Sequence, residues 1–394
     1  MTIALLVHAL ALDVENDAMI YDADMKSASR SYLTNPDLLW PEQSPFHQMI
    51  TAANDMAYIQ LMRVDFQTFN AIIQHVDVLW SSHIDGFADI EQQHARVGRP
   101  RRLNARAVIG MTLVWLATPA QQKFIQLCFG AGPAVVSRGI KMGFEQLLAA
   151  LRRMPDTDVT WPTAASMARY NAAIVAKYGP PPVADFFPWG FVDGVRQAIN
   201  NCNSAFWQEM YYNGHLKLCN FNNVLVWVPD GRCVWASLCH EGNKGDYRCS
   251  LTLFNALRDA AQTPPGFGLL GDHAFSSLAT NDIIGTEAFR DGTPGQLSAA
   301  EKVAWEAWWG PPRKSAEFGM RVLTSLWRRL QLNLPSMPDN RRFNMELMEM
   351  ALRLTNLIAV NMVHHNQLRT MYGLAQMNDL EGNADIAQNE WPLG

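Results

Sequence analysis

The pattern of apolar and polar residues changes from a helical to a strand-like period about halfway along the chain. In the first half, apolar side chains recur at every third or fourth position, which is the spacing of one helix face. The clearest such stripe is formed by Phe66, Phe69, Ile73 and Val76. The same period is found over 103–117 and over 121–151. We therefore predict a helical domain at 61–160.

A glycine-containing turn divides the segment 121–151 into two predicted helices. Pro133 stands at the first position of the second helix, where its missing N–H costs nothing. Two helices joined in this way are typical of a helix-turn-helix, whose second helix binds DNA. The exposed face of that helix would carry Ser137, Arg138 and Lys141. A plain helical hairpin with solvated basic residues is the alternative.

Beyond the proline-rich segment 178–188, the sequence favours strands. One strand is predicted around FVDG, and two more are joined by PDG at 229–231, a strong hairpin signal. An amphipathic helix over 246–261, a fourth strand in GFGLLGD and two closing helices follow, with an insertion or long loop at 278–312. Strands and helices in this order indicate an α/β fold, with a sheet flanked by helices.

The formal net charge of −5 is unevenly distributed along the chain. Residues 1–60 include eight acidic and two basic residues, and residues 371–394 include four acidic and no basic ones. We interpret these segments as an acidic N-terminal arm and an acidic tail. The positive charge between them is concentrated in two segments, RVGRPRRLNAR, with Arg101 and Arg102, and RKSAEFGMRVLTSLWRR. Phosphate binding requires such local concentrations of positive charge.

Three carboxylates in the second half interrupt apolar surroundings. Asp193 lies in the first predicted strand, Asp272 ends the fourth, and Glu317 lies on the following helix. The basic residues near Glu317 are Arg313, Lys314 and Arg321. Carboxylate oxygens suit Mg²⁺ or Mn²⁺, and two such ions can activate a water and stabilise the leaving oxygen of a phosphodiester. The pattern predicts a divalent-metal site beside phosphate-binding residues, and three separate buried salt bridges are the alternative.

Over roughly residues 61–370, the chain resembles the PIF/Harbinger-type DDE transposases, which include the Harbinger transposase-derived nucleases and the plant transposon proteins. FVDG matches the family's block at the first catalytic aspartate, LLGDHAF matches the second, and RKSAEFGMRVLTSLWRRLQ matches the glutamate block loosely. The closing His-Asn block corresponds to His365 and Asn366. HEGNKGDYRCS keeps Gly242 and Asp246 of a further block and leaves the role of Asp246 open.

The resemblance implies an all-helical domain with a helix-turn-helix, followed by an RNase H-like catalytic domain at 178–370. It also implies two bound Mg²⁺ (or Mn²⁺) ions. The Asp-Asp-Glu triad that holds them would be Asp193, Asp272 and Glu317. Glu301 and Glu306 are alternatives for the third position.

The family's reaction is hydrolytic nicking at transposon ends, followed by attack of the freed 3′-hydroxyl on target DNA. The resemblance therefore implies a nuclear protein that acts on DNA as a homo-oligomer, together with a Myb/SANT-like accessory protein. The alternative is a domesticated, transposase-derived DNA-binding or scaffold protein without transposition activity. We expect no membrane partner, because no apolar run reaches the ~18 residues of a membrane span.

Overall fold

The computed structural model describes residues 38–80, 103–362 and 365–374. The chain divides into two compact units, one made of residues 1–154 with 326–332 and the other of residues 155–325 with 333–394. Arg101 and Arg102, most of the predicted acidic arm and most of the predicted acidic tail lie outside the described residues.

The described part of the first unit is helical. Its helices are α1 (Pro45–Ala52), α2 (Asp55–Met62), α3 (Phe66–Trp80), α4 (Ala105–Ala117), α5 (Gln122–Phe129) and α6 (Pro133–Leu151). The predicted stripe of α3 is confirmed, since three of its four side chains are fully buried and Phe66 is half-buried. The end of the predicted arm differs from the expectation, because α1 and α2 begin before residue 61. Their N-termini are capped by Ser44 and Asn54, whose side-chain oxygens accept backbone N–H groups.

Helices α5 and α6 form at the predicted positions around the glycine turn. Gly130 ends α5 at a φ of 60°, and a Cβ there would lie 2.2 Å from the carbonyl oxygen of Leu39. Only glycine therefore fits this turn. On α6, Ser137 and Lys141 are exposed and Arg138 is half-buried, which agrees with the predicted outer face.

The second unit contains a mixed sheet flanked by helices. Its strands are β1 (Phe187–Ala198), β2 (Tyr212–Asn213), β3 (Leu218–Trp227), β4 (Cys233–Glu241), β5 (Phe267–Leu270) and β6 (Ile284–Gly285). The order across the sheet is β4-β3-β1-β5-β6, and β2 pairs with the start of β3. The β1–β3 and β3–β4 pairs are antiparallel, whereas β1–β5 and β5–β6 are parallel. The predicted hairpin between β3 and β4 is confirmed.

Helices cover both faces of this sheet. They are α7 (Ala164–Tyr178), α8 (Ala205–Tyr211), α9 (Asp246–Cys249), α10 (Leu251–Arg258), α11 (Ala299–Leu326), α12 (Arg341–Asn361) and α13 (Gln367–Met371). Val192 belongs to a core cluster with α7 and α10 residues, while its neighbour Phe191 belongs to a second cluster with Trp305 and Trp309 of α11. Successive strand residues point to opposite faces, so α10 and α11 lie on opposite sides of β1.

Two predictions about secondary structure need correction. The helix expected over 246–261 is divided at Ser250 into α9 and α10. The insertion expected at 278–312 contains β6 and also the beginning of α11, which continues through Pro311 and Pro312. Proline normally interrupts a helix because it lacks an N–H and its ring clashes with the preceding turn. Here Trp305 and Trp309 before the prolines and Ala316 after them are all buried in the same cluster, which holds both halves of α11 in place.

Candidate active site

Parallel pairing of β1 with β5 brings two of the predicted carboxylates together at the carboxyl end of β5. Phe191 pairs with Leu270, Asp193 follows two residues later within β1, and Asp272 follows two residues after the end of β5. The backbone of Asp272 is still extended, with a φ of −85° and a ψ of 179°. Because each aspartate lies two residues beyond a paired position on adjacent parallel segments, the two are neighbours across the sheet.

Each of these carboxylates is oriented by a backbone N–H close to it in sequence. Oδ1 of Asp193 accepts a hydrogen bond of 2.8 Å from the N–H of Gly194. Oδ1 of Asp272 accepts one of 2.9 Å from the N–H of Ala274 and thereby caps the short turn His273–Phe275. Neither aspartate forms an ion pair within the part of the chain that the structure describes. The alternative of a separate salt bridge for each carboxylate therefore fails for these two residues.

The surroundings of Asp193 disfavour its charged form. The pKa of the Asp193 carboxyl is raised to about 6, chiefly by burial, and the N–H of Gly194 opposes this shift by stabilising the carboxylate. The negative charges of Asp272 and Asp246 contribute to the raised pKa of Asp193, while the positive charge of Arg313 lowers it. The middle of β1, beside the carboxyl end of β5, is thus a site where negative charges repel one another and where a cation would relieve the repulsion.

Helix α11 supports the Asp272 side of this site. The indole N–H of Trp309 donates to the carbonyl oxygens of Gly285, at 2.7 Å, and of Gly271, at 3.2 Å. Gly271 directly precedes Asp272, so this hydrogen bond ties the end of β5 to α11. The guanidinium of Arg313 lies over the Trp309 ring, 5.7 Å from its centre, which is a cation–π distance.

Close packing against β3 positions the middle of α11. A Cβ on Gly319 would lie 2.5 Å from the indole of Trp227, a residue of β3 that is fully buried. The absence of a side chain at Gly319 therefore allows α11 to approach the sheet two residues beyond Glu317.

Glu317 is not brought together with the two aspartates in this arrangement. Its Oε1 pairs with Arg313 at 2.8 Å, and its side chain is 51% exposed. Within residues 38–80, 103–362 and 365–374, no three His, Cys, Asp or Glu residues form a group that could hold a metal ion. The salt-bridge alternative therefore describes Glu317 as it stands, and Arg313 links it electrostatically to Asp193.

The remaining predicted metal-binding and phosphate-binding residues of α11 lie at its N-terminus or on its exposed face. Glu301 accepts hydrogen bonds from the N–H and hydroxyl of Ser298, which forms a capping box in the first turn of the helix. Glu301 lies twelve residues before Arg313, about 18 Å away along the helix axis. Glu306, Lys314 and Arg321 are exposed.

Sequence reasoning assigned no role to Asp246, which the structure places beside the site. Asp246 begins α9, is 9% exposed and interacts electrostatically with Asp193 and Asp272. The sequence signal that could have identified it is a carboxylate at the start of a helix whose next turns are apolar.

Asn366 has a structural role outside this site, because it caps α13 and donates to the carbonyl oxygen of Asp230.

Comparison of the chain with family models, curated proteins and solved structures found no match. No helix in the described ranges combines the length and the apolar character that a membrane-spanning segment requires.

Removing the charge of Asp193 is expected to stabilise the protein at neutral pH. Its carboxyl has a pKa of about 6 when folded against an ordinary value of 3.8, so the ionised form opposes folding as the pH rises from about 4 through 6. For Asp193→Asn we expect the free energy of unfolding to increase by about 1–3 kcal/mol at pH 7 and to be unchanged below about pH 4.

Urea denaturation at the two pH values, with a chelator present, measures this difference. Asp339→Asn removes the charge of an exposed carboxylate in the same unit and serves as the control. A gain in stability that is equal at both pH values would contradict the electrostatic explanation.

Proposed function

We propose that this protein is a Mg²⁺-dependent DNA endonuclease of the DDE transposase type, which cuts phosphodiester bonds at transposon ends and joins the 3′-hydroxyl to target DNA. The observation that carries the proposal is the pair Asp193 and Asp272, which the parallel pairing of β1 with β5 brings next to each other at the carboxyl end of β5. Their carboxylates repel each other in a half-buried position. Two carboxylates kept close together at an energetic cost are typical of a functional site rather than of a structural ion pair.

The chemistry of the donors fits a magnesium ion. Each aspartate uses Oδ1 for a backbone N–H, which leaves its Oδ2 for a cation. Mg²⁺ is commonly held by one or two carboxylates and completes its coordination with water and phosphate oxygens, so this pair is sufficient. Glu317, whose Oε1 pairs with Arg313, would become a further ligand only by a change in the position of its side chain. When bound, two such ions supply an activated water and neutralise the charge on the leaving oxygen.

The remaining groups of the site suit the binding of a phosphate backbone. Arg313 is held by Trp309 and Glu317 at the edge of the carboxylate pair, and Lys314 and Arg321 are exposed on the same helix. In our proposal these cations bind DNA phosphates, and Asp193 and Asp272 hold the ions at the scissile bond.

The fold of the two units also supports the proposed function. The mixed sheet with helices on both faces is compatible with an RNase H-like catalytic domain, and the α5–α6 pair with its glycine turn is compatible with a helix-turn-helix. We propose further that the protein acts in the nucleus as a homo-oligomer on DNA, with a Myb/SANT-like accessory protein.

Nicking of supercoiled plasmid tests the proposal directly. The full chain should convert supercoiled to open-circular plasmid in Mg²⁺ or Mn²⁺ but not in EDTA, and Asp193→Ala should be inactive. Equal nicking by wild type and Asp193→Ala, or nicking that persists in EDTA, would exclude this mechanism.

Lys141 is expected to contact DNA phosphate from the exposed face of α6. Lys141→Gln should weaken binding uniformly across duplex sequences and reduce the slope of log K against log salt by about 0.9, since one fewer counterion is released. Fluorescence anisotropy of a labelled duplex over a series of salt concentrations measures the slope.

The control for this experiment is Arg342→Gln, which removes a cation that is 91% exposed on α12 and paired with Glu346. An unchanged slope for Lys141→Gln would exclude α6 as a phosphate contact. DNA binding that depends on Lys141 without any metal-dependent nicking would favour the domesticated DNA-binding or scaffold function.

A further inference from the structure

Asp246 is a buried carboxylate in direct contact with the backbone of β1. A Cβ added to Gly194 would lie 2.6 Å from Oδ1 and 2.9 Å from Oδ2 of Asp246, so both oxygens face this glycine. Gly194 is also the residue whose N–H orients Asp193. One glycine therefore separates the carboxylate of Asp246 from that of Asp193, and any side chain at position 194 would displace Asp246.

The carboxylate of Asp246 lacks the partners that a buried charge requires. The residue is 9% exposed, and no hydrogen bond to its carboxylate is made by any residue in the described ranges. The charged groups that face it are Arg196, which attracts it, and Asp272 and Asp193, which repel it. Burial of an unpaired carboxylate costs several kcal/mol, so such a group is stable only where something else compensates its charge.

We propose that Asp246 increases the affinity of the Asp193–Asp272 site for a divalent cation without contacting the cation itself. Its negative charge attracts the cation through space, from the other side of Gly194. This inference rests on the proposed function, because it assumes that Asp193 and Asp272 bind the cation. It assigns Asp246, for which the sequence indicated no role, as a positioning residue of that site.

An indirect role agrees with the position of the three aspartates. Asp193, Asp246 and Asp272 influence one another electrostatically, yet no three such side chains in the described ranges are close enough to hold one ion between them. Mg²⁺ and Mn²⁺ carry two positive charges, which a nearby uncompensated carboxylate attracts without contacting the ion. Loss of groups that support metal ligands in this way typically reduces metal affinity 10- to 100-fold.

The proposal also predicts that loss of the Arg196 charge affects cation binding in the opposite direction to loss of the Asp246 charge. Arg196 is exposed on β1, two residues beyond Gly194, and its positive charge acts on Asp246. Removing that charge leaves Asp246 less compensated and should tighten cation binding by about two- to fivefold, since exposed charges interact weakly. A merely structural role for Asp246 leaves only the direct repulsion between Arg196 and the cation, so Arg196→Gln would then tighten binding equally with and without Asp246→Asn.

The experiment is a titration of the full chain with Mn²⁺, in which free Mn²⁺ is followed by electron paramagnetic resonance. We expect Asp246→Asn to raise the Mn²⁺ Kd by about 10- to 100-fold, Arg196→Gln to lower it by about two- to fivefold, and Asp339→Asn to leave it unchanged. Thermal unfolding without divalent ions checks that each variant is folded.

Two kinds of failure can be separated. If Asp272→Asn abolishes Mn²⁺ binding and Asp246→Asn does not change it, the role of Asp246 is overturned and the proposed function stands. If wild type and Asp272→Asn bind Mn²⁺ equally, the proposed function itself fails. Should Asp246→Asn not fold, an unchanged Kd in Arg196→Gln overturns the proposal.

Discussion

Asp272→Asn is expected to reduce Mg²⁺-dependent nicking of supercoiled plasmid by about 10³-fold or more, with little change in the fold. The amide oxygen of asparagine can still accept the N–H of Ala274, so the short turn after β5 keeps its cap. What is lost is one of the two negative charges that would hold a divalent cation. A cation that must be bound before any chemistry starts cannot be replaced by the remaining groups of the site.

The rate of open-circle formation at saturating Mg²⁺ measures this effect, with Asp339→Asn as the matched control for the loss of an exposed aspartate charge. Circular dichroism should give the same unfolding midpoint for Asp272→Asn and wild type within a few degrees. Nicking by Asp272→Asn at more than about a tenth of the wild-type rate would exclude Asp272 as a metal ligand.

Trp305→Ala is expected to lower the free energy of unfolding of the second unit by about 3–5 kcal/mol. The Trp305 side chain is 1% exposed, its ring stacks on Phe289 at 4.5 Å, and its indole N–H donates to the carbonyl oxygen of Thr286 at 2.7 Å. The substitution leaves a large cavity and a buried carbonyl oxygen without its donor. Because α11 is anchored on both sides of its prolines, we expect Trp309 and Arg313 to be displaced as well.

Trp305→Phe keeps most of the ring volume and removes only the indole N–H, so its cost should be about 1–2 kcal/mol. Denaturant unfolding of both variants without divalent ions measures the two values. This comparison also tests whether Trp305 is a core residue, as its burial indicates. A loss of less than about 1 kcal/mol for Trp305→Ala would contradict the core assignment.

Most strands and helices of the second unit follow closely from local sequence patterns. The apolar run of β1, the PDG turn between β3 and β4, and the short strand before Asp272 each have a local signal, and each forms where it was predicted. Asp193 and Asp272 were recognisable because a carboxylate in a buried strand conflicts with its surroundings. Their proximity then depends on the parallel pairing of β1 with β5, which the sequence suggested only through the order of elements.

Helix α11 shows where local patterns were insufficient. Pro311 and Pro312 indicate a helix boundary, yet the helix runs from Ala299 to Leu326. Its continuation depends on burial of aromatic side chains against residues far away in sequence, such as Phe186 and Phe289. The loss of two backbone hydrogen bonds at the prolines is a local cost that tertiary packing offsets.

By itself, the sequence determined which residues are candidates for chemistry, because a charged side chain inside an apolar strand or helix is visible as a departure from a regular pattern. The tertiary structure decided which of these residues meet: Asp193 joins Asp272, Glu317 pairs with Arg313, and Asp246 comes against Gly194. The physical reason is that periodicity reflects the local environment of one segment, whereas the distance between two charges depends on strand pairing and helix packing over the whole unit.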